Sequence, residues 1–281
     1  PRRARDGPSI QTLRRKSAPA SRPSLLSKSV RIGVIGAGAW GTALSTVAAR
    51  NGHRVVLWDP AKEIADMVNR EHRHPFALKG VELDPAIKGE ADLEEAAAAT
   101  ILLIAVPAQS MRTALKALSQ HITPGTILVI CAKGIEIGTG ALMSQIAGAC
   151  APQASAAVLS GPTFAREVAS GHPTAVTLAA DDGEVGERIV HALGGQRFRP
   201  YLSDDVIGTQ VGGAVKNVLA IACGIARGRE LGDNARSAVI TRGIAEIGRL
   251  SLALGGRPET LMGLSGIGDL VLTCTSEQSR N

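Results

Sequence analysis

The stretch from Arg31 to Asp59 constrains the fold more than any other part of the chain. It reads Arg31-Ile-Gly-Val-Ile-Gly-Ala-Gly-Ala-Trp-Gly-Thr-Ala-Leu44, runs on as an Ala-rich segment to Arg50, and returns through Asn51-Gly52-His53 to Val55-Val-Leu-Trp58 and Asp59. A short apolar strand thus enters Gly36-x-Gly38-x-x-Gly41, and a helix follows at once. Gly36 permits the tight strand-to-helix turn, Gly38 lets a pyrophosphate approach the backbone, and Gly41 lets helix and strand pack closely. A helix starting there aims unpaired N–H groups and the positive end of its dipole at phosphates. Asp59 follows Gly41 by 18 residues, close to the roughly 20 at which a carboxylate meets the adenosine ribose. A glycine triplet alone would fit a turn in many α/β proteins. Strand, triplet, helix, strand and acid in order read as a dinucleotide site, which by itself names no reaction.

The rest of the chain agrees with such a fold. Its 281 residues are 44% apolar but only 2% aromatic. The core is therefore aliphatic, as suits parallel strands buried on both faces. The net charge of +6 invites a nucleic-acid reading, which the distribution of charge removes. Residues 1–30 hold eight basic side chains and one acid, so they carry +7 and the remainder −1. This Ser-, Pro- and Arg-rich tail is expected to be disordered. In composition it resembles an organelle transit peptide; an extension without targeting function is the other reading. No uninterrupted apolar run reaches the ~18 residues of a membrane span. Cys131, Cys150, Cys223 and Cys274 lie far apart and read as buried thiols of a reducing compartment, so the cytoplasm is expected, or a plastid or mitochondrion if the tail is a targeting segment. No metal site is expected, since His72 and His74 have no carboxylate or thiolate at ligand spacing.

Apolar runs near 101–106, 126–131, 156–159, 174–180 and 198–202 alternate with helical patterns over 61–70, 92–99, 109–121, 139–149 and 184–193. The stretch with Pro75, Gly80 and Pro85 reads as irregular. This alternation predicts a doubly wound, mostly parallel Rossmann sheet, with room for a mixed edge. From Asp204 the strand pattern gives way to long helical stretches over 206–227 and 234–254, with a third from Glu259. The division expected is a tail over 1–30, a Rossmann domain over 31–212, and an all-helical substrate domain over 213–281.

Three features arrive where a doubly wound sheet places its site, beyond the carboxyl ends of the strands. Lys133 follows one strand end, Gly161 to Ala165 follow another, and Lys216 lies in Gly212-Gly-Ala-Val-Lys216-Asn217, where the chain leaves the sheet. Burial among Ala, Val and Leu lowers a lysine pKa towards values useful for proton transfer. Lys216 reads as an acid/base, with an apolar-helix lysine snorkelling to solvent as the other reading; Lys133 reads equally as a site residue or a solvated strand end. Asp269 and the run Thr273 to Asn281 gather small, polar and cationic groups. Arg280 beside Asn281 suits a phosphate, or else the run is a polar helix cap.

Taken together, Gly36-Ala-Gly-Ala-Trp-Gly-Thr-Ala-Leu44, Cys131-Ala-Lys-Gly134, Ser160-Gly-Pro-Thr-Phe-Ala165, Val215-Lys-Asn-Val218, Gly266-Ile-Gly-Asp269, Thr273-Cys-Thr-Ser276 and Ser279-Arg-Asn281 are specific. From Arg31 onward the chain resembles bacterial-type NAD(P)-dependent glycerol-3-phosphate dehydrogenases. The resemblance implies interconversion of sn-glycerol 3-phosphate and dihydroxyacetone phosphate for phospholipid synthesis. It implies Lys216 as proton donor and acceptor at the C2 oxygen, and Lys133 touching both cofactor and substrate. Gly161, Thr163, Asp269, Ser279, Arg280 and Asn281 would line the substrate. Ala39, Trp40, Ala165 and Arg280 would contact the dinucleotide. Relatives continue past Asn281, so the helical domain is expected to be incomplete. A β-hydroxyacid dehydrogenase of related build and a dinucleotide sensor without turnover are the competing readings. The sequence allows a homodimer and says nothing else about assembly.

NAD is the expected cofactor, with NADP second. Many of the enzymes it resembles carry a basic or His residue just after the second strand, whereas here Trp58 is followed by Asp59-Pro60. Asp59 can accept from the ribose hydroxyls but repels a 2′-phosphate, with Lys62 the one nearby cation that softens the bias. Fluorescence titration should give tighter binding of NADH than NADPH; equal affinities would contradict this role for Asp59.

Overall fold

Parallel strands require crossover segments, and the chain supplies them in order. A computed structural model describes residues 29–279. The sheet region consists of β1 (Arg31–Ile35), α1 (Ala39–Arg50), β2 (Arg54–Trp58), α2 (Lys62–Glu71), β3 (Ile87–Glu90), α3 (Leu93–Ala97), β4 (Ile101–Ile104), α4 (Met111–Leu118), β5 (Ile127–Ile130), α5 (Met143–Cys150), β6 (Ser155–Ser160), α6 (Ala165–Ala169), β7 (Thr174–Ala180), α7 (Gly183–Leu193) and β8 (Phe198–Ser203). The eight strands lie in the order β3-β2-β1-β4-β5-β6-β7-β8. All neighbouring pairs are parallel except β6 with β7, so the sheet is doubly wound with a mixed edge. The order reverses between β1 and β4, which opens a crevice where such sheets bind dinucleotides.

Central strands β4 and β5 are buried along their whole length. Leu102, Leu103 and Ile104 are fully shielded from solvent, each contributing roughly 1.5–3 kcal/mol of burial. Two large aliphatic clusters, around Val34 and Leu103 and around Ile35 and Ile104, fill the core. Alternate residues of these strands fall into different clusters, as side chains of period two on a doubly covered sheet must.

Two local expectations change. The stretch read as irregular contains β3, paired with β2; Lys88 and Glu90 leave Ile87 as its one large apolar residue, too little for an apolar run. The helix expected over 139–149 begins at Met143, because Gly138 and Gly140 take positive φ and Ile135 bridges to Leu142.

The helical layer comprises α8 (Val206–Gly228), α9 (Gly232–Ala253), α10 (Pro258–Leu261), a π-helical turn over Leu264–Gly268 and α11 (Asp269–Thr275). Asp205 caps α8, accepting from Gly208 N at 2.8 Å, and the helix runs unbroken through Gly212-Gly213, where the domain division was expected. Among the described helices α8 alone is long and apolar enough to cross a membrane. Half of its most apolar window is nevertheless buried, and Lys216 within it is ion-paired, as in a core helix. Most of the basic tail lies outside the described residues.

At the turn after β1, Gly36 has φ +107° and a Cβ on Gly41 would lie 1.9 Å from the Gly36 carbonyl oxygen, whereas a Cβ on Gly38 would meet nothing within 4 Å. Gly41→Ala should therefore destabilise the fold by about 1–3 kcal/mol, as overpacking does. Gly38→Ala should leave the melting temperature unchanged and weaken NADH about tenfold, or about 1.4 kcal/mol. Thermal melts with NADH titrations check both; equal stability losses would deny the division of roles.

Candidate functional site

A cleft of about 1140 Å³ opens at the carboxyl ends of β1, β4 and β5 and is closed on its far side by α8 and α11. At one end lie Gly36, Gly38, Ala39, Trp40 and Asp59. No side chain caps the start of α1, so its first N–H groups are available to an anion. Asp59 carries its carboxylate at the cleft wall, where one oxygen accepts from Ala61 N at 3.0 Å. Lys62 is held bidentately by Asp66 at 2.7 and 2.9 Å and so does little to offset Asp59. These residues fit a nicotinamide dinucleotide. Gly41 does not reach the cleft; it serves the packing of α1 on the turn.

At the other end Lys133, Thr163, Ala165, Lys216 and Ser279 line the wall. Lys133 leaves β5 and donates to the Gly161 carbonyl at 3.0 Å and to Asp269 Oδ2 at 2.5 Å. Lys216, in mid-α8, donates to Asp269 Oδ1 and, at 3.2 Å, to Thr273 Oγ1, which in turn donates to the Asp269 carbonyl at 2.7 Å. One carboxylate thus holds two ammonium groups from distant parts of the chain. Close approach makes this geometry reachable: a Cβ on Gly213 would sit 2.8 Å from Ser160 Oγ and 3.3 Å from Lys133 Cδ. On α11, Asp269 and Thr273 are one helical turn apart and so face α8 together.

Asp269 is fully buried and absent from the cleft wall. It is therefore placed to orient the lysines from behind. Gly161 offers its carbonyl to Lys133. Arg280 and Asn281 lie outside the described residues. The wall also includes Phe164 and Gln278, within the runs singled out from sequence, and Pro107, Gln109, Ser110 and Thr113 around the start of α4, which were not. The signal for these four is the turn after β4, which matters only once β4 is known to lie beside β1. His72 and His74 join no metal cluster among the described residues.

Electrostatics favour a phosphate-bearing substrate. The two ammonium groups outnumber the one carboxylate, leaving local positive charge beside the cleft. Burial pushes Lys216 down to about 8, helped by the nearby Lys133 charge and opposed by Asp269. The four cysteines are free. Burial raises the Cys131 thiol, and burial with its neighbour Cys223 raises Cys274 to about 12, so neither is a nucleophile near neutral pH. Asp269→Asn should lower the Lys216 pKa further and leave buried ammonium groups unpaired, destabilising the fold by about 3–5 kcal/mol. Denaturant unfolding measures this; stability within about 1 kcal/mol of the parent would show the carboxylate to be dispensable.

Comparison with known proteins agrees with the geometry. Residues 31–186 match the family described as NAD-dependent glycerol-3-phosphate dehydrogenase N-terminus, and residues 205–281 the corresponding C-terminus. The chain is 58% identical over 251 residues to a glycerol-3-phosphate dehydrogenase (NAD(P)+) of Paramagnetospirillum magneticum, covering 89% of this chain and 91% of that one. It is 55% identical to the protein of the same description from Parvibaculum lavamentivorans, covering 89% and 75%. The crystal structure of glycerol-3-phosphate dehydrogenase from Coxiella burnetii superposes with a TM-score of 0.86 at 41% identity, covering 90% of this chain and 78% of that one. With a doubly wound sheet, a dinucleotide turn and a paired-lysine cleft all in place, the chain belongs to the NAD-dependent glycerol-3-phosphate dehydrogenase family.

Proposed function

We propose that the chain interconverts dihydroxyacetone phosphate and sn-glycerol 3-phosphate, with NAD(H) preferred to NADP(H). One observation carries this reading: Lys133 and Lys216, joined through Asp269 behind them, line the same cleft as Gly36 and Gly38. When bound, the nicotinamide supplies or accepts a hydride at the substrate C2 carbon. The chain's part is to hold the substrate, stabilise the C2 oxygen and move one proton. In the reducing direction charged Lys216 gives a proton from Nζ to that oxygen as the hydride reaches carbon, which yields the alcohol; in the oxidising direction neutral Lys216 takes it back. Asp269 and Thr273 keep Nζ oriented through both steps. Lys133 adds positive charge beside the oxygen and towards the phosphate, and the resemblance adds Gly161, Thr163, Asp269, Ser279, Arg280 and Asn281 as substrate contacts. Asp59 beside the ribose underlies the cofactor preference. Production of glycerol 3-phosphate suits phospholipid synthesis, and bacterial relatives with four free cysteines here suit a cytoplasmic enzyme.

Lys216→Met should lower turnover by about 10²–10⁴ with NADH affinity changed no more than a few-fold, since the side chain serves proton transfer. The pH dependence has a fixed sign. Reduction needs charged Lys216, so its rate falls as pH rises through about 8; oxidation needs the neutral form and rises through the same region. Steady-state assays in both directions check this. A Lys216→Met enzyme with more than about a tenth of parental turnover would remove the lysine from the chemistry.

A further inference from the structure

Lys133 stands near the start of a segment without regular structure, residues 131–142 between β5 and α5, in which Gly134, Gly138 and Gly140 all take positive φ. A connection of this length and composition is ordinarily mobile, yet a group that holds a substrate oxygen must keep its place to within a fraction of an ångström. Apolar contacts hold the two ends of the segment, Cys131 and Ala132 on one side and Ile135 and Leu142 on the other, against the core, but not its tip, where Ile137 is 81% exposed. The ties at the turn around Glu136 are polar, and those from outside the segment come from the turn before α4 and its first residues. Gln109 Nε2 donates to the Ile135 carbonyl at 2.9 Å, and its Oε1 accepts from Ile137 N at 2.9 Å. One amide side chain therefore grips the backbone on both sides of Glu136. One helical turn on, Arg112 donates through Nε and Nη2 to the two carboxylate oxygens of Glu136, both at 2.7 Å. Inside the segment Thr139 donates its hydroxyl to Glu136, and Glu136 N donates to the Ala141 carbonyl at 2.9 Å.

We propose that Gln109, Arg112 and Glu136 form a clamp that positions Lys133, with Arg112 and Glu136 acting on the reaction although they line no part of the cleft. The inference rests on Lys133 working at the site as described above. An ion pair on a protein surface ordinarily contributes little. This one differs in geometry and setting: it is a bidentate fork, which fixes direction as well as distance, and the Glu136 side chain is only 12% exposed. The arginine beside it and the Thr139 hydroxyl hold the Glu136 carboxyl down to about 2, so the pair stays charged throughout the working range of pH. Gln109 itself forms part of the cleft wall, which makes the clamp continuous with the site. Without the clamp, Lys133 would lose its bonds to Gly161 and Asp269 for part of the time, and the second positive charge would leave the cleft.

The test is a double-mutant cycle between Arg112→Leu and Lys133→Met, read as kcat, KM for dihydroxyacetone phosphate and NADH affinity. Arg112→Leu alone should lower kcat/KM for the keto phosphate about tenfold or more, since small misplacements at a reacting centre cost up to about 10² in rate. NADH affinity should change no more than a few-fold. In the Lys133→Met background the same substitution should cost less than about twofold, because the group it positions is gone. Equal fractional losses in both backgrounds, or no loss in either, would overturn the proposal and leave the pair a tie within the fold. Glu136→Gln, which keeps the side chain's shape and removes its charge, repeats the cycle should Arg112→Leu not fold, with the same outcomes deciding. Failure of the proposed reaction itself shows separately, as a parent enzyme that oxidises no NADH with dihydroxyacetone phosphate.

Discussion

The contact on which the site depends is the Asp269 carboxylate held between Lys133 and Lys216. Its two oxygens join the end of β5 to the middle of α8 through the first residue of α11. Buried ion pairs are poor evidence of stability, since taking the charges out of water offsets most of their attraction. What this one specifies is arrangement. The sheet and the helical layer meet in the register that brings both ammonium groups to one wall of the cleft, and an unpaired Asp269 in any other register would be costly. Small residues permit the approach: α8 passes Lys133 at Gly213 and the π-helical turn at Gly212, where a Cβ would lie 2.4 Å from the Ser265 carbonyl oxygen.

The two ends of the cleft are built by different physics. The dinucleotide end is backbone: an uncapped helix start, a turn at positive φ and a helix packed against that turn. The lysine end is side chain, assembled from β5, α8 and α11, and the 131–142 segment that carries Lys133 is also tied to the turn before α4 and its first residues. Burial lowers the Lys216 pKa, and the paired carboxylate opposes that loss of charge. These two effects oppose one another on Lys216 and leave it near 8, the region that the proposed proton transfer requires.

Much of this was legible along the chain. The turn from Gly36 to Gly41 and Asp59 could be read because every requirement is local: strand, glycine spacing, helix and acid lie within 29 residues. Lys216 could be read because a lone lysine in an apolar helix is conspicuous. The position of Asp269 beneath the lysines could not, since it depends on α11 packing against α8, a contact between distant segments that no spacing encodes. Strand β3 escaped because a four-residue edge strand with one large apolar residue has no pattern. The start of α5 was misplaced because Gly138 and Gly140 outweigh the helical preferences around them. Gln109 and Arg112 looked like ordinary polar positions of an amphipathic helix; only the neighbouring placement of β4 and β5 turns them towards the Lys133 segment.

The claim at the centre of this account is that Lys216 is tuned in place before any substrate arrives. An NMR titration of the enzyme labelled at lysine Cε and Nζ, with Lys216 assigned by comparison with Lys216→Met, reads that directly. The account predicts a midpoint for Lys216 of about 8. A midpoint at the ordinary lysine value of about 10.4 would contradict it.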